Sequence, residues 1–156
     1  MERTRISLAL LLALAAPAAR GQAVRTSDLA SGIPVGLAVP NTVAGADEAT
    51  AVSTNPAGLG FVGGFTLQYF FQDGQAGSLV ANGLYAALPV GPLVPALALE
   101  WMSPASGPRY LKTELALGLG LADVVALGYG WNFYSSPDPA LGALFDMDAG
   151  VTGRPA

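Results

Sequence analysis

Asp146 and Asp148 are the two side chains of this sequence whose types and spacing could most readily do chemistry. Residues two apart on a β-strand point to the same face, so two carboxylates there could share acid–base work or hold a cation. No further ligand stands near them in the sequence, which contains no histidine and no cysteine. The pattern therefore favours two polar side chains on one strand face over a catalytic or metal site.

The composition excludes most familiar chemistry. Without cysteine or histidine there is no disulfide, no thiolate or imidazole metal ligand and no Ser-His-Asp triad within these residues. The segments 118–120 and 128–130 are Gly-x-Gly pairs, but each lies inside a predicted strand with no helix after it, unlike a dinucleotide-binding turn. Seven basic and eleven acidic residues disfavour general nucleic-acid binding. The sequence predicts no enzyme, cofactor, metal site or nucleic-acid partner.

Residues 1–23 have the pattern of a secretory signal peptide. Arg3 and Arg5 precede an uncharged run rich in Leu and Ala, residues 6–19, and small residues follow up to Ala23. The run is shorter than the roughly 20 residues that a spanning helix needs, although an uncleaved anchor helix is the alternative. Cleavage is expected after Ala18 or after Ala23. Export is therefore predicted, and four basic and ten acidic residues remain after Ala23.

Most of the remaining sequence alternates with a period of two, which is typical of β-strands. From Leu111 to Leu121, bulky residues at odd positions oppose charged or very small residues at even positions. Segments 65–72, 93–101, 125–133 and 141–152 alternate similarly, and segment 78–90 does so weakly. The uncharged stretch 76–99 is not a membrane helix, because prolines interrupt it; it predicts two strands joined at Gly91-Pro92. Six strands and an all-β class are expected.

Two architectures produce such alternation: a soluble β module and a transmembrane β-barrel. The faces opposite the leucines carry mostly glycine, alanine and isolated polar groups, which suits a barrel lumen better than a solvated surface. The predicted lumen-facing polar residues are Glu100, Lys112, Glu114, Asp146 and Asp148. Glu100 and Lys112 are expected to pair across neighbouring strands. Glycines on this face would leave room inside, so Gly118→Arg should cost less stability than Leu117→Arg on the lipid side.

Connection lengths and aromatic residues also favour the barrel. Segments 72–76, 103–109 and 135–139 are longer polar or proline-rich connections, whereas Gly91-Pro92 and Ala122-Asp123 are tight; outer-membrane barrels alternate long outer loops with short periplasmic turns. Aromatic residues cluster next to the long connections, as in the girdle where rings meet lipid headgroups. The predicted girdle consists of Tyr69, Phe71, Trp101, Tyr110, Trp131 and Phe133, with Phe70 and Tyr134 at the same level.

The strand count predicts an incomplete barrel. Closed membrane barrels have at least eight strands, and an open edge in lipid leaves backbone groups unsatisfied. Residues 63–156 are therefore expected to be the N-terminal strands of a longer or truncated protein, with closure by oligomerisation as the alternative.

A stretch of small and acidic residues, 44–51, precedes Asn55-Pro56-Ala57-Gly58 and then the first strand. A short helix is expected over residues 47–53, followed by a turn at this motif. With this order of features, the segment resembles the N-terminal region of the FadL-like family of outer-membrane hydrocarbon transporters. The ending 145–151 with Arg154-Pro155 also resembles a strand of this family and of PorV-like barrels.

The resemblance implies a fold, a location and a role. Residues 24–62 would form a hatch-like segment inside the barrel, with Asn55, Pro56, Ala57 and Gly58 in the hatch. The expected location is the outer membrane of a diderm bacterium, and the expected partners are membrane lipid and a hydrophobic ligand. The role would be passive transport of a long-chain fatty acid or hydrocarbon. The alternatives are a soluble periplasmic β module or the non-catalytic β region of an exported SppA-type signal peptide peptidase.

Overall fold

A computed structural model describes residues 47–72, 80–104 and 107–154 of the chain. The signal peptide predicted for residues 1–23 and the first part of the predicted hatch-like segment lie outside these residues. Two short helices come first, α1 (Ala51–Thr54) and a 3-10 helix (Pro56–Phe61). The strands are β1 (Thr66–Gln72), β2 (Val80–Ala87), β3 (Leu93–Ser103), β4 (Tyr110–Leu121), β5 (Val125–Ser135) and β6 (Phe145–Gly153), with helix α2 (Pro139–Gly142) between the last two.

The strands form one antiparallel sheet in which each strand pairs with its neighbour in sequence, in the order β1-β2-β3-β4-β5-β6. The predicted all-β class and the six strands are confirmed. The predicted junction between β2 and β3 is also confirmed, and Gly91 turns there with a φ of 63° that suits glycine. The sheet is open in the part of the chain that the structure describes, with β1 and β6 as its edges.

The two ends of the sheet differ in the length of their connections. At one end, residues 88–92 and 122–124 make the turns between strands. At the other end the connections are longer: residues 73–79, which lie outside the described residues, then 104–109 and 136–144. The predicted alternation of short and long connections is therefore present.

The two faces of the sheet have opposite chemistry. All the charged residues of the six strands project to one face, here called the inner face: Glu100, Lys112, Glu114, Asp146 and Asp148. The other, outer face carries large apolar side chains; Leu67 is 59% exposed, Trp101 45% and Leu117 39%. Since alternate residues of a strand point to opposite faces, the period-two pattern of the sequence produces this division directly. Among the described residues there is no helix of the length and hydropathy that a membrane span requires.

The last strand begins later than predicted. The alternation suggested a strand from Leu141, but the structure begins β6 at Phe145 and forms helix α2 before it. The Asp138 side chain accepts a hydrogen bond from the Ala140 backbone N–H (2.9 Å), and Pro139 occupies the first helical turn. An acidic N-cap followed by proline is a standard helix start, which outweighs the strand pattern here. Leu141 is consequently buried at 7% exposure instead of lying on a strand face.

The predicted aromatic girdle is corrected at Tyr110. This residue shares its facing with Lys112 and Glu114 and is 5% exposed, so its ring lies on the inner face. Tyr134 is also buried there, with its ring centroid 6.2 Å from that of Tyr110, and Phe70 packs against the buried core. The aromatic pattern in the sequence indicated how far along its strand each ring lies. Which face of the sheet a ring occupies depends instead on its position in the strand, because successive side chains point to opposite faces.

The other predicted girdle residues lie on the outer face, close together in level. Tyr69 and Phe133 belong to one cross-strand row that runs through Leu84, Leu99 and Thr113. Phe71 and Trp101 lie in the next row toward the long connections, joined through Asn82. Trp131 lies one row nearer the middle of the sheet, opposite Leu115.

Candidate functional site

The inner face is covered by the segment that precedes the first strand. This covering segment, residues 47–62, packs its α1 helix against β3 and β4 and its 3-10 helix against β3, β4, β5 and β6. Ala51, Ala57 and Leu59 are fully buried in this contact, and Val52 and Val62 nearly so. The segment holds the four residues of the predicted hatch motif.

The local sequence explains how the covering segment folds. Pro56 favours extended backbone at the residue before it, and Asn55 has φ −162° and ψ 102°. The Asn55 side chain then accepts a hydrogen bond from the Ala57 N–H (3.1 Å) and caps the 3-10 helix. The predicted helix over 47–53 is instead α1 over Ala51–Thr54, and the predicted turn at Asn55–Gly58 is the start of the 3-10 helix.

The 3-10 helix packs against a row of glycines, here called the glycine row. Gly118, Gly128 and Gly150 lie directly opposite one another on β4, β5 and β6. A Cβ at Gly118 would lie 2.5 Å from the Leu59 Cβ, and one at Gly128 would overlap the backbone of Pro56 and Ala57. A Cβ at Gly150 would overlap Oδ1 of Asn55. Only residues without a side chain allow this approach.

This packing corrects the view that Gly118 faces free space. The sequence correctly indicated that small residues leave room on this face, but the covering segment occupies the room. An arginine at Gly118 would have to displace the 3-10 helix. The expectation that Gly118→Arg costs less stability than Leu117→Arg therefore loses its basis.

A buried polar cluster lies beside α1. The Lys112 Nζ lies 3.0 Å from Oε1 of Glu114, and both side chains are at most 4% exposed. The Ser53 hydroxyl donates to the same Glu114 oxygen at 2.7 Å and lies 3.4 Å from Oε1 of Glu100. The Tyr85 hydroxyl donates to that Glu100 oxygen at 2.5 Å. Tyr85, Glu100, Lys112 and Glu114 are buried and Ser53 is half-buried, so the loss of a partner here leaves a group withdrawn from water, which is expensive.

The predicted pairing of Glu100 with Lys112 is correct in register: the two residues are directly opposite on β3 and β4. The Lys112 ammonium, however, forms its ion pair with Glu114, two residues along the same strand. Residues at this spacing share a face, so the lysine can reach a carboxylate on its own strand as well as the opposite one.

Asp146 and Asp148 accept hydrogen bonds from the same side chain, Asn132. The Asn132 Nδ2 donates to Oδ1 of Asp146 and, at 2.7 Å, to Oδ2 of Asp148. The Tyr134 hydroxyl also donates to Asp146, at 3.3 Å. Both aspartates are half-buried and lie on the inner face. Within the described ranges, no three metal-binding side chains are grouped so that they could hold a metal ion.

Arg154 fastens both ends of the covering segment near the end of β6. Its guanidinium lies 3.0 Å from Oδ2 of Asp47 and 4.2 Å from the ring centroid of Phe61. Its backbone N–H donates to the Val124 carbonyl at 2.8 Å, which anchors it beside the β4–β5 turn. Glu48, next to Asp47, accepts a hydrogen bond from Gln68 of β1.

Sequence reasoning missed several residues of this site. The sequence pattern did not single out three polar residues: Ser53, Tyr85 and Asn132. It also did not indicate that the 3-10 helix packs against the glycine row. The glycines were visible as small residues on one face, but their alignment depends on strand register. Ser53 and Tyr85 carried no local signal, because their partners are far away in sequence.

Comparison with known proteins gives no match: no family model, no curated protein and no solved structure is similar to this chain.

Proposed function

We propose that this chain belongs to an outer-membrane β-barrel protein that carries hydrophobic compounds passively across the membrane. In this proposal the outer face contacts lipid, residues 1–23 direct export, and the covering segment acts as a hatch on the lumen side. The six strands supply part of the wall, and further strands close the barrel, because closed membrane barrels have at least eight.

The observation that carries the proposal is the division of charge between the two faces. All the charged residues of the strands are on the inner face, and the outer face presents large apolar side chains across the width of the sheet. Soluble proteins seldom expose a continuous apolar surface of this extent. Lipid requires an uncharged face of this kind, since a charge at the bilayer midplane costs about 2–4 kcal/mol.

The covering segment supports the transport role. It covers the inner face, and apart from packing it is held there by side-chain contacts such as Ser53–Glu114 and Arg154–Asp47. A segment attached in this way can leave the inner face without breaking the strand ladder. The aromatic rows beside the long connections support an orientation with those connections outside the cell.

Cell fractionation tests the location. The full-length gene, with its own leader, is expressed in its host, and membranes are probed with an antiserum against residues 103–110. We expect an outer-membrane band whose gel mobility changes on heating, as folded barrels show. A soluble periplasmic band would contradict the proposal and favour the soluble β module.

Uptake of a labelled uncharged hydrocarbon, hexadecane, tests the transport role. Cells that carry the full-length gene should take it up faster than deletion cells. The control is the same gene without codons 2–23, which leaves the protein inside the cell. Equal uptake in all strains would contradict transport while leaving the location intact.

A further inference from the structure

The register of β6 on β5 is not fixed by the connection between the two strands. Residues 122–124 join β4 to β5, and a turn this short sets the register of a hairpin. Residues 136–144, which include helix α2, join β5 to β6. A connection of this length permits more than one register, so other contacts have to place β6 along β5.

The facing of the side chains excludes a slip of β6 by one residue but not by two. A slip by one would turn Asp146 and Asp148 to the outer face, whereas a slip by two keeps every side chain on its own face. Asn132 is opposite Asp146 in the structure. A slip that brought Asp148 opposite Asn132 would leave an aspartate at this place, although β6 would have moved by about 7 Å.

The outer face also accepts this slip. In the structure Tyr129 is opposite Ala149, and Trp131 is opposite Met147. After the slip Tyr129 would be opposite Val151, and Trp131 would be opposite Ala149. Each aromatic ring would again face an aliphatic side chain, so the apolar character of the outer face does not exclude the slipped register.

The covering segment does exclude it. Gly150 is opposite Gly128 in the observed register, and a Cβ at Gly150 would overlap Oδ1 of Asn55. A slip by two residues would put Thr152 or, in the other direction, Asp148 in the place of Gly150, and either Cβ would meet that oxygen. Asn55 is 4% exposed and caps the 3-10 helix, which holds its side chain in position. The segment therefore admits β6 only with glycine at this level.

A second contact between β6 and the covering segment acts in the same sense. The Arg154 guanidinium contacts Asp47 and Phe61, near the two ends of the segment. Its backbone N–H donates to the Val124 carbonyl in the β4–β5 turn. Because Gly150 and Arg154 are four residues apart, the segment contacts β6 at two levels, and a slip would disturb both.

We propose that the covering segment is an internal template, a part of the chain that sets the register of a later strand. The 3-10 helix packs on Gly118 and Gly128 of the β4–β5 hairpin, and β6 then pairs with β5 where Gly150 meets Asn55. This role goes beyond transport and does not depend on it, because the same steric selection operates in a barrel wall and in a soluble sheet.

Disulfide cross-linking measures the register directly, because the sequence contains no cysteine of its own. Tyr129→Cys with Ala149→Cys reports the observed register, and Trp131→Cys with Ala149→Cys reports the slipped one. The Cβ atoms of directly opposite residues are roughly 4.5–5.5 Å apart, whereas those of diagonal neighbours, at about 7–8 Å, are too distant for a disulfide.

Each full-length cysteine variant is refolded in non-ionic detergent and oxidised, and the linked fraction is measured by mass spectrometry of proteolytic peptides. In the otherwise native sequence, we expect the observed-register pair to link at least about tenfold more than the slipped pair, given the difference in Cβ separation.

Two variants then test the template. The exchange G150T/T152G keeps the composition and moves the glycine by two positions, so that it is opposite Gly128 only in the slipped register. The link should therefore move to the slipped pair. Gly128→Ala should displace the 3-10 helix and raise the slipped link several-fold. Gly130→Ala is the control for Gly128→Ala, since a Cβ there would have ordinary contacts of 3.6–3.9 Å.

A G150T/T152G protein that keeps its link in the observed register would overturn the proposal, because the strand ladder would then have set the register against the covering segment. If this exchange forms neither link, Gly128→Ala decides: a slipped link no stronger than that of Gly130→Ala would overturn the proposal, and a several-fold stronger one would support it. Uptake of hexadecane tests transport separately from all of these results.

Discussion

The Ser53 hydroxyl lies 2.7 Å from Oε1 of Glu114, although 61 positions separate the two residues in the chain. The same carboxylate oxygen lies 3.0 Å from the Lys112 ammonium, so one short helix is tied to the buried ion pair of β4. The bond crosses from the covering segment to the sheet wall. It is therefore the polar contact that most directly links the position of the segment to the charges beneath it.

Ser53→Ala should loosen the covering segment. The change removes the donor to Glu114 and leaves a buried acceptor with one partner fewer, at a cost of about 1–3 kcal/mol. Amide hydrogen exchange in residues 49–62 should become faster. Thr54→Ala is the matched control, because the Thr54 hydroxyl donates to the Thr50 carbonyl within the same segment and not to the sheet residues that the structure describes. An equal increase of the exchange rate in both variants would show that the Ser53–Glu114 hydrogen bond does not hold the covering segment on the sheet.

Gly128→Ala should displace the 3-10 helix from the glycine row. The added methyl would overlap the backbone of Pro56 and Ala57, and overpacking of this kind costs about 1–3 kcal/mol. Limited proteolysis near residues 56–61 should become faster. Gly130→Ala is the control on the same face of the same strand, where a Cβ would have ordinary contacts of 3.6–3.9 Å. If the two variants behave alike, the glycine row does not position the segment.

Leu117→Arg tests whether the outer face contacts lipid. Leu117 lies on the outer face, 39% exposed, four residues from the β4 end at Leu121. In a membrane the arginine should lower the free energy of unfolding by about 2–4 kcal/mol, whereas Leu121→Arg beside the tight turn should cost about 0–1 kcal/mol. Refolding into lipid vesicles measures both. A soluble β module would show changes within about 0.5 kcal/mol at either position.

Lys112→Met should destabilise the sheet strongly. It removes the ammonium from a buried pair and leaves the Glu114 charge uncompensated, which typically costs about 3–5 kcal/mol. Arg109→Met, in the exposed connection before β4, should change the free energy of unfolding by no more than about 0.5 kcal/mol. Adding Glu114→Gln to Lys112→Met should recover much of the loss, because the buried anion is then gone. A double variant as unstable as Lys112→Met alone would show that the pair is not the cause.

Local and periodic features were accessible from the sequence. The alternation from Leu111 to Leu121 predicts β4 and its two faces, because every strand residue reverses direction relative to the one before it. Proline and glycine at 91–92 predict the turn between β2 and β3 for equally local reasons. The placement of Glu100, Lys112, Glu114, Asp146 and Asp148 on one face follows from the same parity. The start of the last element at Leu141 is also a local matter, since the Asp138-Pro139 pair is a helix start signal that competes with the strand pattern.

What only the tertiary structure decided is how distant residues meet. The glycine row exists because register sets Gly118, Gly128 and Gly150 at one level, and the residues that pack against it, 55–60, lie at least 58 positions earlier in the chain. The contacts of Ser53 with Glu114, Tyr85 with Glu100, and Arg154 with Asp47 and Phe61 likewise join separate elements. A strand's period states which way a side chain points, but register and packing determine what it touches.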